Sequence, residues 1–154
     1  MIEHMVPPAR RWLIAGVVVV LGLSFVSQGK AAGDSMTEVE RTNQAVVTRA
    51  LSALAKRDVD ALGDCLADDF TYRYANQSVN GKANYLAIAR EKFPTVDSLK
   101  IDVVRSSAIG NTVLLERFDA GTNGGKKSGY HISAFFYVVD GKIHEWTDYP
   151  WPAD

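Results

Sequence analysis

The chain has 154 residues, 47% of them hydrophobic, and a formal net charge of -1. That length suits one domain with a real core, and the composition excludes a disordered chain. The near-neutral balance, with no basic run after the first thirty residues, leaves no electrostatic ground for a nucleic-acid partner.

Residues 1–33 differ in kind from the rest. Arg10 and Arg11 precede fifteen uncharged residues, Trp12 to Val26, and mostly small residues follow to Gly33. This is the layout of an export signal peptide. The apolar run is shorter than the roughly 20 residues of a comfortable membrane span, and an uncleaved N-terminal anchor is the alternative. The protein is therefore expected to be exported, to the periplasm or cell envelope, and to meet the membrane only through this segment if it is retained. The folded domain is expected over residues 35–154.

Ser35 and Glu38 stand at capping-box spacing, and Val39, Val46, Ala50, Ala53 and Leu54 recur at helical intervals up to Lys56. Asp58 is the expected N-cap of a short helix through Leu62, Cys65 and Leu66, ending at Asp68-Asp69. Cys65, the only cysteine, can form no internal disulfide and is read as a core residue of that helix. Phe70 to Tyr74 alternates as a strand, with Phe70, Tyr72, Tyr74 and Asn76 on one side, and Gln77 to Gly81 is a polar turn. Asn80 is the expected cap of a third helix whose apolar positions, Ala83, Leu86, Ala87 and Phe93, stop at Pro94.

From Leu99 the period changes to two. Leu99, Ile101 and Val103 form one strand, and Gly110-Asn111 turns the chain into a second over Thr112 to Ala120. Gly121 to Gly125 is a loose loop. Tyr130 to Val139 is a long strand, Asp140-Gly141 a tight hairpin turn, and Lys142 to Tyr149 the last strand. Tyr130, Tyr137 and Tyr149 are read as packing residues. Helices gathered ahead of a four-strand antiparallel meander predict an α+β domain in which a curved sheet wraps the helices.

The strand alternation places Val113, Leu115, Arg117 and Asp119 on one face, and Trp146 and Asp148 on one face of the last strand. In meander order a single strand separates the two acids, which puts them on the order of 10 Å apart if they are level. Arg117 can then donate to both. Two readings stand at this point. The Asp-Arg-Asp bridge either ties the sheet together, or one carboxylate takes a proton from a held water while the other gives one.

Tyr74-Ala75-Asn76, Glu116-Arg117-Phe118-Asp119 and Gly141-Lys142-Ile143-His144-Glu145-Trp146-Thr147-Asp148-Tyr149 resemble the Tyr-x-Asn, Glu-Arg-x-Asp and Gly-(Lys/Arg)-Ile-x-x-Trp-x-Asp-Tyr motifs of the limonene-1,2-epoxide hydrolase family. That family belongs to the cone-shaped α+β domains that include nuclear transport factor two, the ketosteroid isomerases and the polyketide cyclases. The resemblance runs from about Val39 to Tyr149. It implies that Asp148 is the base that activates water, that Tyr74 and Asn76 hold that water, that Asp119 protonates the opening epoxide oxygen, and that Arg117 bridges the carboxylates. It implies no cofactor, metal or covalent intermediate. Phe70, Tyr72, Leu115, Phe136 and Trp146 are the expected lining of a pocket for a small apolar substrate.

His131 and His144 have no second ligand at metal-binding spacing, and His144 is expected on the Trp146 and Asp148 face. Other occupations of the same fold are a noncatalytic apolar-ligand-binding or dimerisation module and an isomerase or cyclase. A homodimer is expected by analogy with the way such sheets pair.

Overall fold

The computed structural model describes residues 35–152, so the reading of residues 1–33 as a leader lies outside it. Helix α1, Glu38–Lys56, begins at a capping box, but the box is Thr37 and Glu40. The Glu40 amide donates to the Thr37 hydroxyl and the Thr37 amide donates back to Oε2 of Glu40. The frame two residues later than Ser35-Glu38 is selected by a distant contact: Oε1 of Glu40 also accepts from the Gly110 amide at 3.0 Å. Asn43 Nδ2 donates to the carbonyl of the same Gly110. The buried stripe is Asn43, Val46, Val47, Ala50, Leu51 and Ala53. Val39, expected on that stripe, lies one turn before Asn43 and is 54% exposed.

Asp58 caps α2, Val59–Cys65, accepting from the Ala61 amide at 3.0 Å. Asp58→Ala is expected to cost about 1 kcal/mol, read as a lowered urea midpoint; an unchanged midpoint would show the cap to be dispensable. Cys65 is buried, as expected. The helix stops there and not at Asp69, because Leu66 already pairs with Ile143 at the start of β1, Leu66–Tyr74. Ladder bonds to a distant strand override the local helical pattern.

Gln77–Asn80, read as a turn, is a short strand, β2, paired with β1 across a two-residue turn at Ala75-Asn76. Asn80 therefore belongs to a strand. The N-cap of α3, Lys82–Lys92, is Gly81 at φ 87°, where no side chain caps the helix, and its amide donates to the Phe70 carbonyl. Positive φ is costly for any residue with a Cβ. Helix α3 buries Tyr85, Leu86 and Ala89, while Ala83 and Ala87 face outward. A single 3-10 turn, Phe93–Thr95, follows at Pro94.

The remaining strands form the expected antiparallel meander: β3, Ser98–Ile109; β4, Thr112–Asn123; β5, Lys126–Val139; and β6, Lys142–Pro152. All four run further than their alternation predicts. The residues 121–123, expected in a loop, continue β4, and only Gly124 and Gly125, both at positive φ, make the turn. Gly121 is needed where the chain passes β3, since a Cβ there would stand 3.1 Å from the Ser98 carbonyl oxygen. Strand β6 passes Tyr149 because Pro150 and Pro152 still lie opposite Ile132 and Tyr130.

The sheet order is β2-β1-β6-β5-β4-β3, with β1 parallel to β6 and every other pair antiparallel. The sheet is open and mixed, and the helices pack on its inner face. Trp146, Phe70, Phe136, Leu62, Leu66, Ile143 and Val113 fill the core between them, each worth on the order of 2 kcal/mol of burial. Tyr137 and Tyr149, expected to pack, are half-exposed. They fall on the other side of the pleat from the buried Phe136, Val138 and Asp148.

Candidate active site

Arg117 on β4 and Asp148 on β6 are each only 1% exposed, the buried charges of this core. Asp148 lies opposite Ala134 on β5, which lies opposite Leu115 on β4. The two acids are therefore not level: Asp119 is four residues further along β4. The guanidinium closes that offset. Its Nη1 and Nη2 donate to Oδ1 and Oδ2 of Asp148 at 3.0 and 2.8 Å, and Nε donates to the two Asp119 oxygens at 3.0 and 3.1 Å. A fork of fixed N–H groups holding two carboxylates is the geometry at which arginine surpasses lysine.

Asp148 receives two more bonds. Trp146 Nε1 donates to Oδ1 at 2.7 Å, and the Tyr72 hydroxyl donates to Oδ2 at 3.0 Å. Both donors come from the expected alternation. Trp146 and Asp148 are two apart on β6, and in the parallel ladder Tyr72 pairs with Trp146 and Tyr74 with Asp148. The Tyr72 ring is fixed between Tyr85, at 5.0 Å, and Trp146, at 5.7 Å. Arg117 Cζ lies 5.6 Å from the Trp146 ring, adding a cation–π contact.

Burial and the buried charges set the electrostatics of the cluster. Burial lifts the Asp119 carboxyl above the usual carboxylate range, and the adjacent guanidinium only partly offsets this. Arg117 is held above its ordinary value: burial alone would lower it, but the charge and hydrogen bonds of Asp148 prevail, helped by Asp119. Burial first, and the Asp148 charge second, push the Tyr72 phenol far up, so it stays neutral. Burial also raises Tyr85 and Tyr74.

A cavity of about 310 Å³ opens above this cluster. Leu54, Val96, Leu99 and Ile132 supply apolar wall, and Tyr72, Tyr74, Tyr85 and Tyr130 supply aromatic wall. Thr122, Asn123 and Ser128 make a polar side at the β4–β5 hairpin. A somewhat larger groove, about 380 Å³, lies beside α1 and α2. Its charged side chains, Arg49, Lys56, Asp58 and Asp64, are exposed and screened by water, so it lacks the desolvated charge that chemistry needs.

Of the residues singled out in the sequence, Arg117, Asp119, Asp148, Tyr74 and Tyr72 meet at this cavity. Asn76 does not: it is exposed in the β1–β2 turn, because Tyr74 already pairs with Gln77. Phe70, Leu115, Phe136 and Trp146 lie in the core and leave the lining to other residues. His144 sits in a bulge, between Val138↔Ile143 and Tyr137↔Glu145, that turns it off the Asp148 face. It contacts Asp69, Nδ1 to Oδ1 at 2.7 Å. The sequence reading missed Tyr85 and Tyr130 as cavity residues and Tyr72 as a donor to Asp148; for Tyr72 the signal was its shared face with Tyr74. Among the described residues no three of His, Cys, Asp and Glu are placed to hold a metal ion.

An open mixed sheet curved over three helices, with a polar cluster at the floor of an inner cavity, is the α+β cone of the nuclear transport factor 2-like proteins. Within that class the chain belongs to the SnoaL-like domain family, whose model matches residues 47–146. It is 31% identical over 100 residues to epoxide hydrolase EphG of Mycobacterium tuberculosis, a match covering 64% of this chain and 66%, about two thirds, of that relative's length. The solved structure of an M. tuberculosis LEH-like epoxide hydrolase superposes with a TM-score of 0.69 at 27% identity, covering 73% of this chain and 84% of that one. An NTF2-like protein from Anabaena variabilis shares the fold at 20% identity, with a TM-score of 0.67 over 78% of this chain and 97% of that one.

Proposed function

We propose that this protein is an epoxide hydrolase that adds water to a small apolar epoxide in one step. The observation that carries the reading is the desolvated Asp119–Arg117–Asp148 bridge at the floor of a largely apolar cavity. Asp119, lifted by burial, is the acid; it gives its proton to the ring oxygen as the C–O bond breaks. Asp148, held in place by four donated hydrogen bonds, is the base that takes the proton of the attacking water. Arg117 keeps both carboxyl groups in place and compensates whichever one is ionised, so the net charge of the cluster is the same before and after the step.

General acid and general base each contribute on the order of 10²–10⁴ in rate. An apolar wall excludes competing water and suits a lipophilic ring. The same fold also carries isomerases and cyclases, so the fold does not select the reaction. The two-carboxylate pairing favours hydrolysis, because proton abstraction from carbon needs only one base. The similarity to epoxide hydrolase EphG and to the LEH-like structure supports the same choice. The proposal extends to location: the basic, apolar and small-residue succession of residues 1–33 would carry the domain out of the cytoplasm.

The test is diol formation by the purified chain from limonene oxide, styrene oxide and larger lipophilic epoxides. Turnover is expected, together with a loss of at least about 10²-fold in Asp148→Asn. Diol formation unchanged in that variant would refute the assignment.

A further inference from the structure

The cavity over the acid cluster has two unlike ends. Its charged lining residues, Arg117, Asp119 and Asp148, all lie at the floor, while Thr122, Asn123 and Ser128 line it at the β4–β5 hairpin with one neutral amide and two hydroxyls. Strand alternation connects the ends. Asp119, Gly121 and Asn123 succeed one another on the inner face of β4, and Tyr130 and Ser128 stand opposite Asp119 and Gly121 on β5. At roughly 3.4 Å per residue, Ser128 lies about 7 Å and Asn123 about 14 Å further along the sheet than Asp119. Gly121 puts no side chain between them, so the wall from the acid to the hairpin is bare backbone. The hairpin is also tethered: the Gly125 amide donates to Oδ2 of Asp97 at 3.0 Å, and the Asp97 amide donates to the Thr122 carbonyl at 2.9 Å. Those two bonds fix the polar groups relative to Val96, the neighbour of Asp97 that belongs to the apolar wall.

We propose that this hairpin rim is a specificity subsite, at which Asn123 and Ser128 bind an uncharged hydroxyl, carbonyl or amide at the far end of an extended lipophilic epoxide. The inference rests on the epoxide-hydrolase reading and specifies its substrate class: an amphipathic epoxide with a polar group roughly 7–14 Å from the ring. The Asn amide and the Ser hydroxyl each donate and accept, which matches a neutral hydrogen-bonding group. A carboxylate end would find no free cation in the lining, because the one guanidinium there already holds two acids. A wholly apolar end would displace water from the amide and the hydroxyls and return no hydrogen bond. The chemical step stays at the floor. The rim decides which epoxides lie with the ring at Asp119.

Diol formation by the full chain from 9,10-epoxydecan-1-ol and from 1,2-epoxydecane gives a ratio of kcat/KM for two substrates that differ by one hydroxyl. Asn123→Ala and Ser128→Ala are each expected to lower that alcohol-to-hydrocarbon ratio by about 3–10-fold, the worth of one neutral hydrogen bond. A ratio that both variants leave as in wild type overturns the subsite. So does an equal drop for 3,4-epoxybutan-1-ol against 1,2-epoxybutane, whose hydroxyl is too near the ring to reach the hairpin. A wild-type preference for 9,10-epoxydecanoic acid over the alcohol overturns the uncharged class. Product binding separates these failures from failure of the hydrolase reading. If the wild-type chain forms no diol from any epoxide, the hydrolase is lost, but decane-1,2,10-triol should still raise its melting temperature more than decane-1,2-diol does. That difference should disappear in Asn123→Ala. Equal shifts from the two compounds in wild type remove the subsite as well.

Discussion

Arg117→Met is expected to destabilise the domain by about 3–5 kcal/mol at neutral pH. The substitution keeps a long side chain at a site only 1% exposed, so lost volume is a minor part of the effect. Its main consequence is two acids without a counter-charge, one of them fully buried at Asp148 and the other 15% exposed at Asp119. Orphaned carboxylates in a desolvated site can relieve their repulsion only by binding protons. Their affinity for protons in the folded variant then exceeds that in the unfolded chain. Groups raised in this way contribute stability that is complete at low pH and is lost as pH rises. Urea midpoints at pH 7 and pH 5 provide the measurement: the deficit of the variant against wild type should shrink on acidification. A deficit of equal size at both pH values would mean that Arg117 matters through packing and not through charge.

Asp119→Asn is expected to lower kcat/KM by about 10²–10⁴-fold while the fold keeps its stability to within about 1 kcal/mol. An amide has no carboxylic proton to give to a departing oxygen, so the chemical loss is direct. The stability follows from the sign of the Asp119 shift. Its carboxyl is raised above its unfolded value because burial outweighs the help of Arg117. The stabilisation it lends is therefore present below the unfolded value and lost as pH climbs through the folded one. At neutral pH a neutral amide forfeits little, and Arg117 keeps both of its bonds to Asp148. The same sign governs the wild-type rate, which should fall on the alkaline side as Asp119 loses its proton, a limb absent from the pH profile of the Asn variant. Retained hydrolysis in Asp119→Asn would remove it as the acid; a collapse in stability with lost activity would make it a structural strut.

The single-residue outcomes above trace back to a division between near and distant information in the chain. Side-chain alternation is a local property, so Arg117 with Asp119, and Trp146 with Asp148, could be assigned to shared faces from spacing alone. The Gly110-Asn111 and Asp140-Gly141 turns set the antiparallel order that brings β4 within two strands of β6. The Asp-Arg-Asp cluster follows from those two facts.

Alternation says which face a residue occupies, and nothing about its depth along that face. Phe70, Leu115, Phe136 and Trp146 share the inner face with the cavity residues, but the helices cover their end of it, and only tertiary packing decides where that cover stops. The bulge that turns His144 outward is likewise set between strands, as is the frame of the Thr37-Glu40 cap, which depends on a bond to Gly110. Most consequential is the parallel pairing of β1 with β6, two segments some seventy residues apart in the chain. Local sequence carries no record of that ladder, because its hydrogen bonds form only after the chain has returned. Yet it is this pairing that brings the Tyr72 hydroxyl to Asp148 and leaves Asn76 outside. The chain's own spacing thus determined the two acids and their guanidinium. The closure of the sheet decided what else reaches them, because donors from distant strands meet only when the backbone ladder between them is complete.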